Sequence, residues 1–175
     1  INMLCDPGVF LDTLSKLKVN NKWNLDNKWI EQNISEKKKW IDKSLKDLEI
    51  ETAEAKKNGG KIHPLQLALD VQEEMKDKDW LVIDGGNTHF WSEIAINIAG
   101  HKGKKLGGIL HPGTFSMLGV GVPFALSAKN LNPKSNVVLI SGDGAFLSGG
   151  LSIEAAFQEN KPIVVVIDNN GGLDC

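Results

Sequence analysis

Two short apolar runs, each followed at once by a turn rich in Gly, Asp and Asn, constrain the fold of this chain most. Residues 137–140 (VVLI) precede residues 141–145 (SGDGA), and residues 163–167 (IVVVI) precede residues 168–172 (DNNGG). Short β-branched runs bounded by turn residues are typical of buried strands in a parallel sheet. The apolar positions between residues 151 and 160 predict a crossover helix. The segment is therefore predicted to run strand, Gly-rich loop, helix, strand.

Asp143 and Asn170 each follow the carboxyl end of one of these predicted strands. Neighbouring strands lie about 4.8 Å apart, so two oxygen-bearing side chains there can share one small cation. Mg²⁺ prefers oxygen ligands and is often completed by the phosphates of a ligand. The carboxyl edge of an open α/β sheet is also where ligands bind. Gly142 and Gly144 would let a phosphate approach the backbone closely.

The sequence Gly142-Asp143-Gly144, followed by Asn170 27 residues after Asp143, resembles the metal–diphosphate motif of thiamine diphosphate (ThDP) enzymes. Further residues fall at the offsets of that longer motif: Leu126, Ser127, Pro133, Val138 and Ile140. The resemblance covers about residues 60–175. It implies an α/β fold in which helices cover both faces of a parallel sheet. It also implies Mg²⁺ ligands from the side chains of Asp143 and Asn170 and from the backbone carbonyl of Gly172.

The same resemblance implies two diphosphate-binding turns. One follows the predicted strand 80–84 and contributes Gly86, Asn87 and Thr88, and the other contributes Gly142, Gly144 and Ala145. An ordinary turn capped by Thr88 is the alternative at the first, and a turn with an Asp and two Asn residues as caps is the alternative at the second. Asp168 is interpreted as a cap at the end of its strand.

Residues 111–123 (HPGTFSMLGVGVP) resemble the loop that binds the cofactor aminopyrimidine in acetolactate synthases and their relatives. The resemblance implies that Leu118 is the apolar wedge that bends the cofactor and that the backbone of Ser116 and Leu118 contacts the pyrimidine. The alternative is that Met117 and Leu118 only fill the core. His89 and His111 are candidates for phosphate or substrate contacts, on position alone.

The bulk properties exclude several classes of partner. The net charge is −2 with intermixed signs, so no basic footprint for nucleic acid is present. No apolar run approaches the roughly 20 residues of a membrane-spanning helix. The two cysteines, Cys5 and Cys175, stand at opposite ends, which favours a reduced, cytoplasmic location over a disulfide framework.

Three segments are predicted along the chain. Residues 1–20 are interpreted as the trailing edge of a preceding domain, residues 21–60 as a helical linker with one break, and residues 61–175 as the ThDP- and Mg²⁺-binding domain. Trp23, Trp29 and Trp40 are expected to anchor the linker helix to a neighbouring surface. The missing initial Met and the abrupt end suggest that the chain is part of something longer.

The resemblance implies an enzyme that makes or breaks a C–C bond next to a carbonyl, similar to acetolactate synthases acting on 2-oxoacids. A 2-hydroxyacyl-CoA lyase or oxalyl-CoA decarboxylase is an alternative, and a non-catalytic ThDP-binding module is an alternative of another class. The activating Glu of the family lies in a separate pyrimidine-binding domain, so no catalytic residue is assigned here and a homo-oligomer is expected. Whether FAD or CoA binds stays open.

Overall fold

The computed structural model describes residues 6–19 and 26–172, and the chain divides into one unit over residues 1–44 and another over residues 45–175. Two helices come first, α1 (Pro7–Val19) and α2 (Asn27–Lys57). The predicted break in the linker is wrong, because α2 is continuous over its 31 residues. Its sequence contains no Gly or Pro and is rich in the strong helix formers Lys and Glu. No helix in the described ranges is long and apolar enough to span a bilayer.

The expected anchoring of α2 by tryptophans is not seen in the described part of the chain. Trp29 and Trp40 are 64% and 43% exposed, and Trp23 lies outside the described residues. The predicted segment boundaries at residues 20 and 60 stay predictions.

A four-stranded parallel sheet forms the centre of the second unit, as the sequence predicts. Its strands are β1 (Trp80–Asp84), β2 (Gly108–Leu110), β3 (Val137–Gly142) and β4 (Val164–Asp168), in the spatial order β2-β1-β3-β4. β3 is central and almost fully buried, because its apolar run faces helices on both sides.

Helices cover both faces of the sheet. α5 (Gly121–Leu131) packs on the face that carries Val82 and Leu139. α3 (Pro64–Glu74) and α4 (Gly86–His101) pack together against the opposite face, where Leu81 and Ile83 are fully buried. His63 is the N-cap of α3 and accepts a hydrogen bond from the Leu65 N–H.

The crossover from β3 to β4 differs from the prediction of a Gly-rich loop followed by one helix over residues 151–160. Helix α6 (Asp143–Gly149) begins directly at the end of β3, and α7 (Ile153–Gln158) follows a short 3₁₀ turn. The helix starts this early because Gly142 is still extended and Asp143 stands in the first turn, where a carboxylate stabilises the N-terminal N–H groups.

The strand order creates a topological switch point between β1 and β3. From β1 the chain crosses to β2 on one side, and from β3 it crosses to β4 on the other. The crossovers that follow β1 and β3 therefore diverge from this point at the carboxyl edge of the sheet. Ligands of open α/β sheets bind at such a switch point.

Candidate functional site

The two predicted diphosphate-binding turns contact each other at the switch point. A Cβ atom at Gly85 would lie 3.1 Å from the Gly142 backbone nitrogen, and Gly85 has a φ of 123° that side-chain-bearing residues rarely adopt. Gly86 begins α4, and a Cβ atom there would meet nothing within 4 Å. The glycines thus bring two backbones close together and leave open space beside the first turn of α4.

Asp143 and Asn170 lie at the ends of adjacent strands. Gly142 of β3 stands opposite Asp168 of β4 in the parallel register, so Asp143 and Asn170 follow one and two residues beyond that pair. Each side chain also stabilises its own turn, as the alternative interpretation expects. Asp143 Oδ1 accepts from the Gly144 N–H at 2.9 Å, and Asn170 Oδ1 accepts from the Gly172 N–H at 3.1 Å.

These local hydrogen bonds leave both side chains able to bind a cation. A carbonyl oxygen has two lone pairs and a carboxylate about four, so each side chain keeps acceptor capacity. The donor set is one carboxylate and one amide oxygen, with backbone carbonyls nearby, and it contains only hard oxygen ligands of the type that Mg²⁺ takes. The residues present therefore fit a magnesium ion that shares its coordination with phosphate oxygens.

Thr88 and Asp168 do not act as caps of their own segments, the roles that the sequence suggested for them. Thr88 does not cap its own turn, because the N-cap of α4 is Gly85, which carries no side chain. The Thr88 hydroxyl donates instead to Asp168 Oδ2 at 3.1 Å. Asp168 is therefore a cross-sheet acceptor rather than a strand-end cap, and Thr88 is held in place beside Gly142. The structure places Asn87, the third residue nominated in this turn, on the exposed side of α4.

The loop between β2 and α5 exposes the apolar residues that could contact a cofactor ring. It contains a 3₁₀ turn (Gly113–Phe115), and Ser116 follows in a left-handed conformation with φ 47°. Met117 and Leu118 are 59% and 41% exposed, so the alternative that they only fill the core is wrong. The loop leaves an open apolar surface at the position where the resemblance requires one.

Two contacts fix this loop against the sheet and against α6. The buried Asp84 carboxylate accepts from the Gly121 N–H at 2.7 Å and from the Gly119 N–H at 3.1 Å. A Cβ atom at Gly149 would lie 1.9 Å from the Gly119 carbonyl oxygen. Since α6 has seven residues and rises about 1.5 Å per residue, Gly149 stands roughly 9 Å from Asp143.

Sequence reasoning missed Asp84 and Lys61. Asp84 ends a predicted strand, and its position at a strand's carboxyl end was a usable signal. The Lys61 ammonium donates to the Asn170 carbonyl oxygen at 3.2 Å across 109 residues of sequence, and nothing in the local pattern predicts that contact. His89 and His111 lie close to each other, with ring centroids 4.7 Å apart.

Comparisons with known proteins point to a family. The family model described as "Thiamine pyrophosphate enzyme, C-terminal TPP binding domain" matches residues 84–175, more than half of the chain. The chain is 32% identical over 113 residues to human 2-hydroxyacyl-CoA lyase 2, which covers 63% of this chain and 17% of that protein. It is also 32% identical over 124 residues to an acetolactate synthase large subunit of Mycobacterium tuberculosis, which covers 70% and 22%.

A solved structure gives the same result. The thiamine diphosphate-dependent 4-hydroxybenzoylformate decarboxylase of Rhodococcus jostii RHA1 superposes with a TM-score of 0.53 at 27% identity and covers 63% of this chain. The match spans 20% of that decarboxylase. The chain therefore spans about a fifth of the length of each protein that it resembles.

Proposed function

Because the chain belongs to the thiamine pyrophosphate enzyme family and contains its C-terminal TPP-binding domain, we propose that it holds the diphosphate of thiamine diphosphate through Mg²⁺. The observation that carries the proposal is the meeting of two glycine turns at the switch point, beside Asp143 and Asn170 at the ends of adjacent strands. Asp143, Asn170 and the Gly172 carbonyl are the proposed magnesium ligands.

The proposed diphosphate-binding residues stand at the N-termini of two helices. Gly86, Asn87 and Thr88 stand in the first turn of α4, and the positive end of a helix dipole favours an anion. Gly142, Gly144 and Ala145 lie at the start of α6. Asp143 stands in the same first turn. Its carboxylate would be a negatively charged ligand for a metal ion that also binds the phosphate.

When bound, thiamine diphosphate supplies a nucleophilic carbon and an electron sink for making or breaking a C–C bond next to a carbonyl. The chain's own contribution is binding and orientation. Leu118 supports the ring region from one side, and the backbone of Ser116 and Leu118 offers hydrogen bonds to the pyrimidine. Asp84 holds this loop through Gly119 and Gly121.

For the reaction, we propose decarboxylation and carboligation of 2-oxoacids, in the manner of an acetolactate synthase. Pro123, in the first turn of α5, and the similarity to the mycobacterial synthase subunit support this assignment. The second candidate is cleavage of a 2-hydroxyacyl-CoA or decarboxylation of oxalyl-CoA. The sequence Gly113-Thr114-Phe115 and the similarity to human 2-hydroxyacyl-CoA lyase 2 favour it.

We propose that a second subunit completes the site. The large apolar side chains of Phe115, Leu147, Leu151 and Phe157, on the loop before α5 and on the crossover from β3 to β4, are between 82% and 93% exposed. Exposed apolar side chains of this size are typical of a surface that another domain or subunit covers. The activating Glu would come from a pyrimidine-binding domain there, which makes the active protein at least a homodimer. A cytoplasmic location stays part of the proposal.

The test is a calorimetric titration of the intact protein with ThDP, with and without Mg²⁺. We expect metal-dependent binding that Asp143→Asn weakens at least about tenfold, because the variant loses the charged ligand. Asp77→Asn, a change of an exposed carboxylate, is the matched control and should bind normally. The site assignment would be overturned if ThDP affinity changed neither on addition of Mg²⁺ nor in the Asp143→Asn variant.

Turnover separates the enzyme from a non-catalytic module. Pyruvate, a 2-hydroxyacyl-CoA and oxalyl-CoA are each supplied to the ThDP- and Mg²⁺-loaded protein, and the products are measured. Formation of acetolactate supports the first candidate, and acyl-CoA cleavage or decarboxylation supports the second. Tight ThDP binding without any turnover would favour the module.

A further inference from the structure

Three side chains with metal-binding groups converge on the side of α4 that faces the end of β2. His89 and Glu93 are four residues apart on α4 and therefore share one face of the helix. His111 follows β2 and reaches the same point from a different element. One ligand atom from each of the three lies within 4.8 Å of the other two. In the described ranges, no other trio of His, Cys, Asp or Glu side chains converges in this way.

An ordinary ion pair does not account for the arrangement. Nε2 of His89 lies 3.0 Å from Oε1 of Glu93, yet this buried nitrogen makes no well-aligned hydrogen bond within the described part of the chain. A helical His–Glu pair would also leave His111 unexplained, although its ring packs on that of His89. Two ligand atoms that lie about 3 Å apart and do not point at each other have the arrangement expected when both bind a metal ion between them.

We propose that His89, Glu93 and His111 bind a Zn²⁺ ion or a similar divalent transition metal, at a site separate from the proposed Mg²⁺ site. Two imidazoles and one carboxylate form a donor set typical of zinc centres that keep an open position. Imidazole also favours transition metals over Mg²⁺, which takes oxygen ligands. With Zn–ligand bonds of about 2.1 Å, tetrahedral ligands are roughly 3.4 Å apart. Ligand atoms that are up to 4.8 Å apart therefore need to approach each other by up to about 1.4 Å.

The site has room for a fourth ligand. Glu93 and His111 line a cleft of about 390 Å³, together with apolar side chains from β1, β2 and α4. Water or a small anionic ligand could reach the metal through this cleft. The site does not need the cofactor proposal, because none of its three residues is among the proposed diphosphate or magnesium contacts.

Metal binding has a structural consequence for the loop before α5. Nδ1 of His111 accepts a hydrogen bond from the Gly113 N–H at 3.1 Å. A metal-bound neutral imidazole has a metal on one nitrogen and a proton on the other. Nδ1 of His111 must then carry either the metal or the proton, and it cannot accept from Gly113 in either case. Metal binding would therefore remove this hydrogen bond from the start of the loop, while Asp84 still holds the end of the loop through Gly119 and Gly121.

The test is equilibrium dialysis of the intact protein against Zn²⁺ alone, without ThDP or Mg²⁺ and with the cysteine thiols alkylated. We expect about one Zn²⁺ per chain. His89→Gln, Glu93→Gln and His111→Gln should each weaken binding at least about tenfold, since each removes a ligand. His63→Gln, His101→Gln and Asp143→Asn are the controls and should bind as tightly as the unchanged protein. Circular dichroism checks that each variant is folded.

Co²⁺ gives a second readout of the same site. The visible absorption of bound Co²⁺ depends on its ligands. It should appear on binding and should weaken or change in His111→Gln. The proposal is overturned if the unchanged protein retains no Zn²⁺ after dialysis. It is also overturned if His63→Gln, His101→Gln or Asp143→Asn weakens binding while the three site variants do not.

Discussion

The Thr88 hydroxyl donates to the Asp168 carboxylate and so links the turn after β1 to the end of β4, although β3 lies between these strands. Gly142 makes the link possible. A Cβ atom at this last residue of β3 would stand 3.2 Å from Thr88 Oγ1, closer than nearly all real contacts of this kind. One glycine therefore opens the path for a hydrogen bond that ties three strand ends together beside the proposed diphosphate site.

Thr88→Val should lower the free energy of unfolding by about 1 kcal/mol, because it keeps the shape of the buried side chain and removes the hydroxyl. Thr88→Ser restores the donor and should recover most of that loss. Urea denaturation of the three proteins measures the difference. No loss in Thr88→Val together with a loss in Thr88→Ser would show that the methyl group, and not the link to Asp168, stabilises this edge of the sheet.

Asp84→Asn should destabilise the protein by about 1–3 kcal/mol. The carboxylate is 1% exposed and accepts two backbone N–H groups, from Gly119 and Gly121. An amide in its place turns one acceptor into a donor that faces an N–H group. The measurement is urea denaturation with exposed Asp77→Asn as the control, for which a change within about 0.5 kcal/mol is expected. Similar losses in both variants would contradict the role assigned to Asp84.

The sequence predicts much of this site because its key signals are local. Apolar runs that end in Gly, Asp and Asn predict β3 and β4, and the parallel pairing then brings Asp143 and Asn170 together. The family model, which matches from Asp84 onward, agrees with that interpretation. The strand β1, which the sequence predicts over residues 80–84, was predictable for the same reason.

The features that sequence reasoning missed depend on tertiary contacts or on helix ends. Lys61 reaches the Asn170 carbonyl only because the chain folds back over more than a hundred residues. The start of α6 at Asp143 was hidden by glycines, which indicate a loop as readily as a helix N-terminus. The break expected in α2 came from irregular apolar spacing, and strong helix formers override such spacing on an exposed helix.

Gly149→Ala should destabilise the protein by about 1–3 kcal/mol, because the new Cβ atom would lie 1.9 Å from the Gly119 carbonyl oxygen and the backbone must move. Gly100→Ala is the matched control within α4. A Cβ atom there meets nothing within 4 Å, and Ala is favoured over Gly in a helix by up to about 1 kcal/mol. Thermal unfolding should therefore show opposite shifts for the two variants. A Gly149→Ala protein as stable as the original would mean that the loop and α6 are not in close contact.

Leu118→Ala should reduce ThDP-dependent activity about tenfold or more while leaving the fold intact. The side chain is 41% exposed, so its truncation removes little buried area and should cost less than about 1 kcal/mol of stability. Its proposed role is to fix the orientation of the cofactor rings, and small misplacements of reacting groups are costly to the rate.

Leu118→Met keeps the volume and should retain most of the activity. Leu131→Ala, a change of an 82% exposed leucine at the end of α5, controls for loss of surface apolar area. Steady-state kinetics and thermal unfolding of the four proteins separate the two effects, and full activity in Leu118→Ala would show that this residue does not support the cofactor.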